Sequence, residues 1–304
     1  MELREVRTLI ALARTGSIVR TAAQLNLTPA AVFKQLKNLE QEWAVRLYER
    51  RGRGLQLTDA VAVVLPCLRE IQAQCEAAGR AVAEWQGLRR GCVRIGAGPT
   101  LASYVLPDLL IRFRKRWPGV DLHIQTGNSQ RLIDGIRAGE IDTAMIISSG
   151  AGESPDMQVA MEWRFENVLV SNLPEAPVRC RLRDLHRFPF VLYEQGSRLE
   201  AQIDRYFERH KFQPSVAMRF DSAEAIKTMV ALGLGISMLP MWTVREDLRS
   251  GRLRAITVRE RPLISKFSLV CRKSAWTGAA LPALIETARG FEAKSRQWLR
   301  ESQA

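Results

Sequence analysis

Gly16-Ser-Ile-Val-Arg-Thr-Ala-Ala-Gln-Leu-Asn-Leu-Thr-Pro-Ala-Ala-Val-Phe-Lys-Gln-Leu-Lys-Asn-Leu-Glu40 is the stretch whose reading decides the fold. It spells two short helices joined by a tight polar turn. Ser17 is an N-cap, its hydroxyl suited to accept a bond from an amide two or three residues on. The helix after it turns Ala22, Ala23 and Leu25 inward, and small alanines let a second helix cross closely. Leu25-Asn26-Leu27 is the turn: Asn26 suits a left-handed backbone, and the two leucines fill the space beneath. Thr28 caps the second helix, and Pro29 takes its first position, where a missing N–H costs nothing. Val32, Leu36 and Leu39 recur at helical spacing and face the core. Ala30, Ala31, Phe33, Lys34 and Lys37 are left on the exposed, N-terminal part, a surface suited to entering a major groove. A plain helical hairpin would satisfy the same pattern, so the next stretch has to separate the two readings.

That stretch is Leu47-Tyr-Glu-Arg-Arg-Gly-Arg-Gly-Leu-Gln-Leu-Thr58: a short strand, a glycine-rich turn and a second short strand. It reads as a wing, with Arg50, Arg51 and Arg53 at its tip to reach phosphates or a minor groove. With both pieces in place, the segment resembles the DNA-binding domain of the LysR-type transcriptional regulators. The resemblance rests on Gly16-Ser17, Ala22-Ala23, Thr28-Pro29-Ala30-Ala31-Val32, Lys34-Gln35-Leu36, Leu39-Glu40, Leu47-Tyr48-Glu49-Arg50 and Leu57-Thr58-Asp59-Ala60. Three positions depart from the family pattern. The proline falls one place early, Phe33 stands where a serine is usual, and Val61 stands where a glycine is usual; the first two alter the reading head. A regulator of this kind would use Thr28 on a phosphate, Pro29, Ala30, Ala31, Phe33 and Lys34 on bases, and Ser17, Arg20 and Lys37 on the backbone.

Composition agrees with that reading. The chain of 304 residues has room for two or three domains, and 46% hydrophobic with 25% charged residues is ordinary for a globular protein. No apolar run is long enough to span a bilayer, and Met1-Glu-Leu-Arg-Glu lacks a secretory signature, so a cytoplasmic location is expected. Cys67, Cys75, Cys92, Cys180 and Cys271 are odd in number and scattered, which argues against a disulfide framework or a zinc site. They are expected as small buried hydrophobes, with a redox-sensing thiol pair as the alternative. The net charge of +13 favours contact with nucleic acid. Residues 1–60 hold ten Lys/Arg against six Asp/Glu, however, so most of the excess lies beyond the reading head and reads as basic surface.

From Thr58 to about Leu88 the chain becomes one long helix of about 45 Å. Val61, Val64, Leu68, Ile71, Cys75, Ala78, Val82 and Trp85 alternate spacings of three and four, the seam of a coiled coil. Pro66 should kink its early turns. With no neighbouring helix to bury this stripe, pairing with a second copy is the favoured reading, and Val61, Val64, Leu68, Ile71, Val82 and Trp85 are the expected dimer contacts. In the family this linker builds the dimer. Beyond it, strands alternate with helices. Cys92–Ala97, Val120–Thr126 and Thr143–Ile147 read as strands, with helices over Leu101–Trp117 and Ser129–Ala138. Phe190–Tyr193, Ser215–Phe220 and Gly233–Pro240 repeat the pattern around helices Ser197–Arg209 and Ala223–Leu232. Such alternation predicts parallel sheet covered on both faces. Two linked α/β lobes resemble the periplasmic-binding-protein fold, the usual effector domain of LysR-type regulators. The expected organisation is a winged helix-turn-helix domain at 1–60 (helix-turn-helix about 18–37, wing about 47–58), a linker helix at 58–90 and an effector domain at 91–304. Lobe 1 takes about 91–165 and 268–304, and lobe 2 about 166–267.

Ligands of open α/β sheets bind beyond the carboxyl ends of strands, where helix N-termini offer unpaired amides. That criterion selects Thr100 and Ser103 after the first strand, Asn128 and Ser129 after the second, and Ser148 after the third. In the second lobe it selects Gln195, Ser197 and Ser222. These hydroxyls and amides suit a small polar or carboxylate-bearing molecule, although each alone could be a helix cap. No other cofactor and no metal is expected. The resemblance implies promoter DNA, a second copy of the chain (as dimer or tetramer) and RNA polymerase as partners, and no membrane. A symmetric protein calls for an interrupted palindrome. An α/β enzyme is the first rival, but Gly96-Ala-Gly98 lacks the third glycine of a dinucleotide fingerprint, and His123, His186 and His210 form no catalytic or metal motif. A solute-binding protein is the second, and the first ninety residues argue against it.

Overall fold

The computed structural model describes residues 1–51, 54–85, 91–149, 155–273 and 279–290, and for residues 50, 51, 54, 77 and 80–85 it describes the backbone. The chain divides into two compact units. In the first, α1 (Leu3–Thr15), α2 (Ile18–Leu25) and α3 (Pro29–Trp43) precede a hairpin of β1 (Tyr48–Arg51) and β2 (Gly54–Leu57), and α4 (Asp59–Trp85) follows. Each boundary has a local cause. Ser17 accepts from the Arg20 amide and Thr28 from the Ala31 amide, so both caps are made as their residue types imply. Asn26 ends α2 in the left-handed conformation at φ 54°. Pro29 opens α3, which runs about six residues beyond the expected end of the helix-turn-helix, to Trp43.

The core of this unit gathers Val6, Leu9 and Leu12 of α1, Ala22 of α2 and the predicted trio Val32, Leu36 and Leu39 of α3. Two polar ties fix α1 on α3: the Thr8 hydroxyl donates to Gln35 Oε1 at 2.6 Å, and Asn38 Nδ2 donates to Glu5 Oε1 at 3.0 Å. Two inward assignments fail, because Ala23 is exposed and Leu27 is 36% exposed. An eight-residue helix has only one buried stripe, and here Thr21 and Ala22 occupy it.

The seam of α4 is divided. Val61 and Leu68 are buried in the same core as α1–α3, with Val64 and Leu65 packed partly against it. Ile71, Cys75 and Ala78 are exposed. The expectation that the whole stripe waits for a second copy is therefore corrected for Val61 and Leu68: the helix-turn-helix leaves a groove that the first turns of α4 fill. Pro66 lies inside α4, and the helix continues across it. The Val82 and Trp85 side chains lie outside the described residues.

In the second unit, β3 (Gly91–Ala97), α5 (Pro99–Tyr104), α6 (Leu106–Arg116), β4 (Val120–Thr126), α7 (Ser129–Arg137) and β5 (Thr143–Ile147) build one lobe. The single helix expected over Leu101–Trp117 is two, with the break at Val105, ahead of Pro107. Pro107 has no amide to donate to the Ser103 carbonyl, so the helix is interrupted there and a second one starts with the proline in its first turn, where the missing amide costs nothing. Strand β6 (Met157–Ser171) crosses to the other lobe, made of β7 (Arg179–Cys180), β8 (Pro189–Tyr193), α8 (Arg198–Arg209), β9 (Ser215–Phe220), α9 (Ala223–Ala231), β10 (Ile236–Pro240), α10 (Met241–Arg249) and β11 (Arg254–Val258). The chain returns through β12 (Leu263–Arg272) and closes with α11 (Ala280–Arg289).

Among the described residues the strand order is β4-β3-β5-β12-β6-β10-β8-β9, with β3–β4, β3–β5, β8–β9 and β8–β10 parallel. The antiparallel pair β6–β12 runs through the middle and joins the lobes. Trp163 and Phe165 on β6, Phe267 on β12 and Trp242 on α10 stack there, with Trp163 and Phe267 centroids 5.0 Å apart and Trp242 and Phe267 5.4 Å. The lobes meet over an aromatic core.

Of the cysteines, Cys271 is buried, Cys92 and Cys180 are half-buried, and Cys67 and Cys75 are exposed, which corrects the expectation of burial for the last two. Cys75 lies in the α4 seam beyond the turns that its own domain covers, and Cys67 lies on a different face from the buried Leu68.

Candidate DNA-reading and effector sites

The reading head presents the N-terminal half of α3. Thr28, Pro29, Ala30, Phe33, Lys34 and Lys37 are exposed and Ala31 is half-buried; Arg20 is exposed and Ser17 half-buried on α2. One cap bond satisfies one of the orphan amides of the α3 first turn, which leaves others for a phosphate. Phe33 is 46% exposed and meets the Tyr48 ring edge-on, with centroids 6.5 Å apart at 72°. The departure from a serine therefore has a structural partner at the root of the wing, a pairing the separation of fifteen residues did not reveal. Arg50 and Arg51 belong to β1, their side chains outside the described residues, and Arg53 lies outside them altogether.

Between the lobes of the second unit lies a cavity of about 640 Å³. From the first lobe, Thr100 at the start of α5 and Asn128 and Ser129 at the start of α7 line it; from the second, Gln195 and Ser197 do. Five of the eight residues expected in the site are thus brought to one place. Asn128, rather than Ser129, caps α7, its Oδ1 accepting from the Arg131 amide at 2.9 Å.

The other three are corrected. Ser103 is exposed and its hydroxyl bonds back to the Pro99 carbonyl at 3.1 Å, because one helical turn carries it from the strand end to the outer face. Ser148 is buried, sharing a 2.6 Å hydrogen bond with Ser268 of β12. Its hydroxyl is consumed in joining β5 to the crossing strand. Ser222 caps α9, accepting from the Ala225 amide, and does not line the cavity.

Several further residues line the cavity beside the eight expected ones. Tyr193 ends β8 with its ring buried and its hydroxyl beside that of Thr100, outside hydrogen-bond geometry. Burial pushes its phenol above the ordinary tyrosine range, so it is a neutral donor at physiological pH. Trp242 and Pro240 supply an apolar wall, with Ile147 opposite, while Glu194 and Asp221 add carboxylates. Arg198, also on the lining, reaches across to donate to the Ile147 carbonyl at 3.0 Å, and Gln202 donates to the Ser148 carbonyl at 2.8 Å. The N-terminal turns of α8 therefore grip the end of β5 and hold the lobes around the cavity.

Outside the cavity lining, Lys227 of α9 donates to the Tyr104 hydroxyl of α5 at 2.9 Å and pairs with the buried Asp247 of α10 at 3.2 Å. This second tie between the lobes was not legible, since its members are far apart in sequence. On α8, burial raises the Glu200 carboxyl above the usual carboxylate range, and hydrogen bonding to Asp204 adds to the shift.

Comparison with known proteins matches both units. The family profile described as the bacterial regulatory helix-turn-helix protein, lysR family, covers residues 3–61, and that of the LysR substrate binding domain covers residues 86–292. The chain is 30% identical over 278 residues to the HTH-type transcriptional activator CmpR of Synechocystis sp. PCC 6803, covering 90% of each. Among solved structures, full-length OxyR of Pseudomonas aeruginosa superposes with a TM-score of 0.74 at 21% identity, covering 95% of each chain. CbnR in complex with its target DNA gives a TM-score of 0.69 at 20% identity, over 95% of this chain and 99% of that one. These two show the shared fold. No helix among the described residues is long and apolar enough to cross a membrane. With a helix-turn-helix profile at one end and an effector-domain profile over two thirds of its length, the chain belongs to the LysR family of transcriptional regulators.

Proposed function

We propose that this regulator reads an interrupted palindrome as a homodimer or tetramer and alters transcription when a small polar molecule occupies the cavity between its effector lobes. In this reading residues 1–60 are the reading head, 58–90 the dimerising linker and 91–304 the effector domain, with RNA polymerase the downstream partner. The cavity carries the proposal: hydroxyls, amides and the first turns of α5, α7 and α8 converge on one space from both lobes. A molecule bridging them interacts differently with a closed and an open pair of lobes, and only such a difference can move the DNA-bound equilibrium. Thr100→Val keeps the side-chain shape and removes the hydroxyl. It is expected to weaken effector binding by about 1–3 kcal/mol, the cost of leaving a buried polar partner unpaired. The measurement is a thermal-shift screen of small metabolites, then titration of each hit into both proteins; equal affinities would take Thr100 out of the site.

On DNA, Pro29, Ala30, Ala31, Phe33 and Lys34 face bases, Thr28 touches a phosphate, and Ser17, Arg20, Lys37 and the wing arginines Arg50, Arg51 and Arg53 hold the backbone. The exposed N-terminal half of α3 supports this assignment. Phe33 meets a thymine methyl or a sugar edge, oriented by Tyr48. Phe33→Ala should weaken operator binding by about 1–3 kcal/mol, the scale of one base contact, and spare random DNA. Equal losses on both DNAs in a fluorescence-anisotropy titration would mean that the ring only packs.

A further inference from the structure

Two carboxylates in the cavity are left over by a purely anionic ligand. Glu194 follows β8 and Asp221 follows β9. These strands are parallel neighbours with Tyr193 paired to Phe220, and the Glu194 amide donates to the Phe220 carbonyl at 2.8 Å. Adjacent strands lie about 4.8 Å apart, so the two acids stand side by side at the same edge of the sheet. Both line the cavity, and neither has a hydrogen-bonded or ion-paired side-chain partner among the described residues. Both acids are exposed, and two carboxylates on neighbouring strand ends make a negative pole that favours a cation set against it.

The opposite pole is also present. Ser129 and Gln130 open α7, and Ser197 and Arg198 lead into α8, so two helix N-termini and a guanidinium face the same space. The Tyr193 hydroxyl belongs to the same lining, and it is buried and without a hydrogen-bond partner among the described residues. An orphaned buried donor of this kind points to a ligand acceptor that completes it. Trp242 and Pro240 give the apolar surface against which a short carbon skeleton would lie.

We propose that the ligand of this cavity is a zwitterion: an amino-carboxylate whose anionic group meets the α7 and α8 N-termini with Arg198, and whose ammonium group meets Glu194 and Asp221. The proposal rests on the effector reading of the same cavity and adds the charge pattern of what fills it. The test is a matched panel of the twenty standard amino acids, each beside the carboxylic acid lacking its amino group and the amine lacking its carboxylate. Binding is measured by thermal shift and calorimetric titration on the full-length protein. At least one amino acid is expected to bind, with both partial analogues at least tenfold weaker. Glu194→Gln and Asp221→Asn should each shrink the gap to the deaminated analogue to less than threefold, and unliganded melting temperatures confirm that both variants fold. A deaminated acid that binds as tightly as its amino acid would overturn the zwitterion while leaving an effector cavity for plain anions. A panel in which no amino acid binds would also overturn it, whereas hits from the wider metabolite screen decide the effector reading separately.

Discussion

Leu68→Asp and Ile71→Asp, three residues apart on α4, are expected to fail in different ways. Leu68 is 3% exposed and closes the core formed by α1, α2 and α3. An aspartate there is an unpaired buried charge, costing about 3–5 kcal/mol, a large share of the stability of a small domain. The head should unfold at ordinary temperature, seen as loss of its melting transition and of binding to operator and random DNA alike. Ile71 is 37% exposed, and its own domain does not cover it. Ile71→Asp should leave that melting transition in place and drive the protein towards monomers in sedimentation, with weak operator affinity because one half-site is then read at a time. If Ile71→Asp sediments as the parent oligomer, the dimer contact lies elsewhere. If Leu68→Asp keeps a folded head, the core placement of Leu68 is wrong.

The second large effect is expected at Phe267, which is fully buried where β12 crosses between the lobes. Its ring lies 5.0 Å from Trp163, 6.1 Å from Phe165 and 5.4 Å from Trp242, measured between centroids. Phe267→Ala removes the middle of this stack and should cost about 3–5 kcal/mol, from lost burial and from a cavity that three large neighbours cannot close. Trp242 is also a wall of the ligand cavity, so the space left behind lets that wall sink inward. Effector affinity should therefore fall even at temperatures where the domain stays folded. Phe267→Leu fills most of the volume and should recover much of both losses. Unfolding midpoints in denaturant and effector titrations on the two variants would decide it; unaltered affinity in folded Phe267→Ala would uncouple the aromatic core from the site.

The reading head was legible because its information is local. Ser17, Asn26, Thr28 and Pro29 act on amides or dihedral angles within three residues of themselves, and the structure shows each in the expected role. The wing was legible for the same reason, since its glycines and alternating residues dictate a hairpin. The effector strands were found where a helix followed each one closely. Strand β6, fifteen residues long, and strand β12 were not found as strands, because their pairing spans about a hundred residues and leaves no periodicity at either end.

For the sites the same division holds. A helix start after a strand end selected Thr100, Asn128, Ser129, Gln195 and Ser197 by a rule of topology, and these do line the cavity. That rule could not tell them from Ser148, whose hydroxyl is taken by Ser268 from 120 residues away. Nor could it find Tyr193 or Trp242, which read as ordinary core aromatics until the lobes are assembled. The apolar stripe of α4 shows the limit most plainly. Its spacing by itself determined that one face of the helix would be covered. Tertiary structure decided what covers it: Val61 and Leu68 fill the groove left by three helices of the same chain, and Ile71 stays uncovered, because hydrophobic burial is non-directional and is met by whichever apolar surface lies within reach.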